Sequence, residues 1–274
     1  MSDPITLAVL AGAAAGGAAG KFTEIAVGSG KLWIGKYFNN HQPKAQEKAQ
    51  QNGLDFLVEL GTRIKVLEDS QKVTQEKISK IQEDPDFSAA LQKALISSAQ
   101  TENKEKHKIL AELLAQRLTV ESESLLALTT KMALDVVSFL TPNQLNILGV
   151  AGLLYLVRPN NIQDQFQYEI WLKDNFKPFL NVVVNNIDLM HLESLSCLKR
   201  NTMMGRAIDD ILTLRDFNIA VSPNFYKSKT GLVLQDIWFS KMENIDLTSV
   251  GALISSNVIK LKTKMIINNS LFDV

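Results

Sequence analysis

The chain has 274 residues, 46% of them hydrophobic, and Lys plus Arg equal Asp plus Glu at 29 each. That length and apolar content provide for one large domain or two small ones with real cores, so disorder is not the default, while the charge balance excludes a global field drawing the protein to nucleic acid or anionic lipid. The lone cysteine, Cys197, excludes an internal disulfide framework and fits a reducing cytosol.

Residues 1–40 read as a Gly/Ala-rich hydrophobic segment. Within the run from Ile5 to Gly20, Gly12, Gly16 and Gly20 recur every fourth residue. On a helix they share one face, and the bare backbone there suits close helix–helix contact in lipid or in a tight oligomer. Each glycine costs about 1 kcal/mol in a helix interior relative to alanine, so the stripe calls for a compensating packing gain. Ser2, Asp3 and Pro4 stand where a signal peptide has its basic n-region, which disfavours export. The stretch from Pro4 to Gly20 is short and weakly apolar for a membrane span, and extending it to Val27 takes in Lys21 and Glu24. Two readings stay open. The helix inserts conditionally as an oligomer, with its charges turned to a pore or to each other, or it is a buried, self-associating helix of a soluble assembly. Trp33, Tyr37 and Phe38, flanked by Lys31 and Lys36, are candidate interface anchors, with ordinary packing as the alternative.

Residues 41–120 read as a long-helix bundle or coiled-coil region. Leu57, Leu60, Ile64, Leu67, Gln71, Thr74, Ile78 and Ile81 follow an unbroken three-then-four spacing, the seam of a helix that packs lengthwise on a partner. A helical hairpin within the chain and an intermolecular coiled coil explain it equally well. Asp84-Pro85-Asp86 stops that helix, and a further one is expected from Phe87, turning Leu91, Leu95 and Ile96 inward. The polar patch from Thr101 to Lys108 reads as a solvated turn or first helical turn.

Residues 121–274 read as a C-terminal helical domain. Leu110, Leu113, Leu114 and Leu118 form one apolar helix face before it, and Leu125, Leu128, Met132, Val136 and Phe139 form another. Thr141-Pro142-Asn143-Gln144 supplies a capping hydroxyl, a proline at the first helical position and a glutamine at the third, which predicts a helix through Leu154. That helix is apolar nearly all round, and its length suits a core helix better than a membrane span. Further helices are expected over 163–176, 182–198 and 204–214; 230–239 reads as strand or short helix, and 258–267 as an amphipathic or edge element. The predicted class is mainly α.

No catalytic or metal site is expected. His41, His107, His191 and Cys197 are scattered without metal-ligand spacing, and His191 and Cys197, six apart, do not share a helix face. Gly28-Ser29-Gly30-Lys31 lacks the rest of a phosphate-loop pattern, because Leu32 follows the lysine. No cofactor is implied.

The stretch from Ile109 to Leu118, followed by Leu140-Thr141-Pro142-Asn143-Gln144-Leu145, resembles the alpha-type abortive-infection family, small helical bacterial proteins that are similar also in a Gly-rich N-terminus. His191 to Leu198 is similar to their leucine-rich turn, and Leu247 to Ile254 to their threonine-and-glycine closing motif, a pattern also met in winged-helix-like units. The resemblance implies a non-enzymatic role in defence against phage that compromises the host inner membrane, and it supplies no catalytic residues. It places a winged-helix-like unit in the C-terminal domain, which would bring Lys199 and Arg200 toward phosphate oxygens. Asp188 and Glu193 interrupt that basic stretch, so nucleic acid is not the expected partner. The expected partners are other copies of the chain, membrane lipid and a protein trigger, with the protein cytoplasmic at rest and at the inner membrane when active. The alternative function is a soluble oligomeric scaffold or regulator that binds a protein or nucleic acid through the C-terminal domain.

Overall fold

The structure is a computed structural model that describes residues 34–73, 84–201, 205–214, 217–239, 242–263 and 265. Gly12, Gly16, Gly20 and Trp33 lie outside these residues, as do Thr74, Ile78 and Ile81 of the heptad stripe. The described chain is mainly α and forms two compact units, the first ending at Phe139 and the second beginning at Leu140.

Unit 1 contains α1 (Pro43–Asp69), α2 (Pro85–Ala99), α3 (Lys104–Arg117) and α4 (Leu125–Val137). Leu57, Leu60 and Ile64 of the three-four stripe are buried, and α1 packs on α2 and α3. The seam is therefore filled by the chain's own helices. The stripe breaks where Gln71 adopts φ +56°, and the amides of Ser70 and Gln71 turn back onto the carbonyls of Val66 and Glu68. Side-chain caps fix the later helix starts: Asp84 accepts from the Asp86 amide, Asn103 from the Glu105 and Lys106 amides, and Ser124 from the Ala127 amide. Such caps contribute about 1 kcal/mol each.

The first unit extends past the expected boundary at residue 120, because α4 packs on α2 and α3. It does so through Ala127, Thr130, Ala133, Leu134 and Val137. Three of these are small residues, and Leu125, Leu128 and Met132 are left on the opposite, exposed side.

Unit 2 contains α5 (Pro142–Tyr155), α6 (Gln165–Phe176), α7 (Asn186–Ser194), β1 (Leu198–Arg200), α8 (Ile208–Ile211), α9 (Lys229–Phe239), β2 (Ile245–Leu247) and α10 (Ser249–Thr263). The capping box forms as the sequence predicts: Thr141 Oγ1 accepts from the Gln144 amide, and Gln144 Oε1 accepts from the Thr141 amide. Its helix α5 lies along α10, and α10 is buried continuously from Val250 to Ile259. The tail left open between amphipathic and edge element is thus, over 258–263, the end of a central helix. The residues expected to be strand or helix near 230–239 are the helix α9.

Two expected helices are shorter than their apolar spacing suggested. Over 182–198 only α7 forms, because Ser196 adopts φ +55° and the chain turns into β1. Among the described residues of 204–214 only the single turn α8 is helical; upstream, the Asn201 amide donates to Asn244 O and the Arg206 amide to Glu243 O. Strands β1 and β2 pair antiparallel with Leu198 opposite Leu247. They come from distant parts of the chain, so this small sheet closes a long connection and is not the hairpin wing of a winged-helix unit.

Candidate interaction surface

On α4 the face predicted to be apolar points to solvent. Leu125, Leu128, Met132 and Phe139 are 58%, 44%, 51% and 64% exposed, with Val136 half-buried between the last two. Their spacing aligns them along one side of a helix for about 21 Å, at 1.5 Å per residue. Single exposed apolar side chains are ordinary, but a contiguous line of them is a candidate interaction surface. The charges that flank the line are already answered within unit 1. Lys131 pairs with Asp86, and Asp135 with Lys93. Lys106 Nζ donates to Ser138 O at 2.9 Å, against the carbonyl end of α4. The ridge is therefore an apolar strip whose basic and acidic borders are neutralised in place.

The anchor residues separate. Phe38 is buried, its ring edge-on to Tyr37 at 5.0 Å and to His41 at 5.1 Å between centroids. Tyr37 remains about half exposed at 49%. Just before them Ile34 is fully buried against α1, where a Cβ on Gly53 would stand 2.0 Å from Ile34 Cδ1 and 3.4 Å from Leu95 Cδ1 of α2. A side chain at Gly53 would require the end of the Ile34 side chain to move aside.

Lys199 and Arg200 lie on β1 and do not extend from a recognition helix. Arg200 donates from Nε to Glu193 Oε2 at 2.8 Å and from its amide to Glu193 Oε1 at 3.1 Å, and these bonds hold the Glu193 carboxyl below its usual range. Lys199 stands opposite Asp246 across the strand pair. The Arg200 charge is thus met by the Glu193 carboxylate inside unit 2, while Asp246 pairs with Arg206 at 2.9 Å.

The remaining chemistry-bearing side chains have internal duties. His107, expected in a solvated turn or first helical turn, lies in the first turn of α3 and is buried, its Nε2 donating to Ser98 O at 3.1 Å and Thr101 O at 2.8 Å at the end of α2. It borders a groove of about 230 Å³ shared with Asp55, Val58, Glu59 and Lys104. His191 donates from Nδ1 to Gln144 Oε1 at 3.1 Å, since Gln144 Nε2 is itself given to Asp188 Oδ1 at 2.9 Å. Cys197 is buried, and burial pushes its thiol up to about 12, which keeps it from serving as a nucleophile at neutral pH. Among the described residues no group of three or more His, Cys, Asp or Glu side chains is arranged to hold a metal. Among the same residues no helix is long and apolar enough to cross a membrane.

Sequence reasoning found the members of the α4 ridge but not their orientation. The signal was present in the opposite face, where Ala127, Thr130 and Ala133 supply the small residues that a close helix crossing needs.

No curated protein and no solved structure matches the chain. A family model whose description reads ":-like" matches residues 20–222. Since that match takes in more than half of the chain, from Gly20 to Ser222, the protein belongs to this family.

Proposed function

We propose that the protein is a non-enzymatic effector of phage defence that assembles with copies of itself and acts on the inner membrane. The glycine-striped N-terminal segment is its acting element, and the two helical units carry and restrain it. The observation that carries this reading is the α4 ridge, an uncharged line of Leu125, Leu128, Met132 and Phe139 presented to solvent with its bordering charges already paired. Such a surface serves association through apolar burial, at roughly 25 cal/mol per Å² removed from water. A non-enzymatic role agrees with the internal commitments of His107 and His191 and the burial of Cys197. The link to phage defence rests on the resemblance of 109–118 and 140–145 to the abortive-infection family.

A second reading, an oligomeric scaffold or regulator that binds a protein through unit 2, is favoured by another observation. Ile187 and Met190 are exposed on α7, and Val183 is exposed in the segment before its extended N-cap Asn185. Flotation separates the two. The full chain, mixed with vesicles of phosphatidylethanolamine and phosphatidylglycerol, is expected to rise with them as an oligomer, and Gly16→Leu to stay at the bottom at lower mass with an unchanged helical circular-dichroism spectrum. Wild-type protein that stays at the bottom as a stable oligomer would favour the scaffold.

A further inference from the structure

We infer that the α4 ridge is a two-fold contact on which a second copy of the chain packs antiparallel, with the axis passing through Met132. This rests on the part of the proposed function in which copies assemble, and it names the surface where two of them meet. Leu125 and Phe139 stand seven residues to either side of Met132, and Leu128 and Val136 four residues to either side. Ser138 keeps right-handed helical dihedrals, so Phe139 continues the spiral of α4. At about 100° per residue, all five side chains project within about 40° of the Met132 direction. An isologous contact requires a patch that reads the same from both ends, and this ridge does. Rotation about Met132 sets Leu125 against the second copy's Phe139, and Leu128 against its Val136. A partner of unrelated sequence would need no such symmetry.

The charges at the border favour the same occupant. A two-fold contact turns each flank onto its own copy, so a flank of net charge would repel itself. Lys131 and Asp135 share one flank, and Lys131 pairs with Asp86 while Asp135 pairs with Lys93, so that border is neutral. The antiparallel pair sets Lys131 about 3 Å along the axis from the second copy's Asp135 and equally far from its Lys131, whose charge Asp86 already answers. Leu125, Met132 and Phe139, at every seventh residue, have the knob spacing of two helices packed roughly 8–10 Å apart. Because α4 is already folded against α2 and α3, the pairing bears no cost of helix nucleation, which would defeat an isolated helix of this length.

The test is thiol crosslinking of the full chain in lipid-free buffer with a short bismaleimide. Met132→Cys, Leu125→Cys and Phe139→Cys are made singly at exposed positions, and a helical circular-dichroism spectrum shows that each folds. Wild type, whose Cys197 is buried, gives the background. Met132→Cys is expected to crosslink with itself into a two-chain species. In an antiparallel pair the two copies of Leu125, or of Phe139, stand about 21 Å apart along the axis. Leu125→Cys and Phe139→Cys are therefore expected to crosslink at least tenfold less when alone than when mixed with each other. No two-chain species from Met132→Cys would overturn the inference. So would Leu125→Cys or Phe139→Cys crosslinking as fast alone as in the mixture, the mark of a parallel pair. Met132→Cys combined with Gly16→Leu is expected to crosslink undiminished, and a loss there would assign the pairing to the N-terminal segment and overturn the ridge contact. The readout involves neither lipid nor activity. The expected crosslinks without membrane action would sink the proposed function and leave the two-fold contact standing, and membrane action without them would do the reverse.

Discussion

Replacing Gly251 with alanine is expected to lower the stability of unit 2 by about 3 kcal/mol. The added Cβ would stand 1.7 Å from the carbonyl oxygen of Cys197 and 2.7 Å from its carbonyl carbon. These are backbone atoms, and they have little room to yield. The same carbonyl accepts from the Thr248 amide at 3.2 Å, the Cys197 amide donates to Leu192 O at 2.9 Å, and β1 is paired along its length with β2. Gly251 itself donates its amide to Thr248 Oγ1 at 3.1 Å in the first turn of α10, so moving it away breaks a helix cap as well. Because the chain forms two compact units, calorimetry should resolve a transition for unit 2 that falls by roughly 10 °C and one for unit 1 that does not move. A drop below about 1 kcal/mol would mean that the junction of β1 and α10 is looser than described.

Arg117→Ala is expected to cost unit 1 about 3 kcal/mol, the lower end for breaking a buried ion pair, since the two carboxylates keep some contact with water. The Arg117 side chain is 3% exposed, and its Nη2 lies 3.4 Å from Asp84 Oδ2 and 3.6 Å from Asp86 Oδ2. Nη1 donates to Val120 O at 3.3 Å, and Ser122 Oγ donates to the same Asp84 oxygen. The guanidinium thus ties the start of α2 to the loop after α3. Burial pushes the Asp84 carboxyl up, but the Ser122 hydroxyl, the Asp86 amide, the Arg117 charge and the Phe87 amide together outweigh it and set the group below its ordinary 3.8. A carboxyl lowered by folding stabilises the native state fully above the ordinary value, and that contribution is lost as pH falls through the lower folded value. Wild-type unit 1 should therefore weaken as the pH drops below about 4, and Arg117→Ala should show a shallower loss over the same window. Urea titrations at neutral pH and at successively lower pH check both expectations, and equal acid slopes in the two proteins would contradict the second.

Elements with local signals were legible in the sequence. Asp84-Pro85 and Thr141-Pro142-Asn143-Gln144 mark helix starts through side chains that bond the first free amides, and both helices begin there. The mainly α class follows from the same periodic stretches. What was not legible depends on partners far along the chain. The seam at Leu57, Leu60 and Ile64 gives no sign of whether its partner is internal, and the stop at Gln71 is a single left-handed residue. The single turn Ile208–Ile211 follows a backbone whose Asn201 and Arg206 amides donate to Asn244 O and Glu243 O, far along the chain. The α4 ridge shows the same effect at the candidate surface. Hydrophobicity named Leu125, Leu128, Met132 and Phe139, but α3 and α2 cover the face of Ala127, Thr130, Ala133, Leu134 and Val137.

The measurement that tests the account most directly is release of a self-quenched dye from phosphatidylethanolamine and phosphatidylglycerol vesicles by the purified full chain and by Gly16→Leu, with the mass of each species recorded alongside. Release by the wild type, reduced at least tenfold in Gly16→Leu together with a loss of assembled mass, is the predicted result. Equal release by both proteins, or none from an assembled wild type before and after addition of phage lysate, would contradict it.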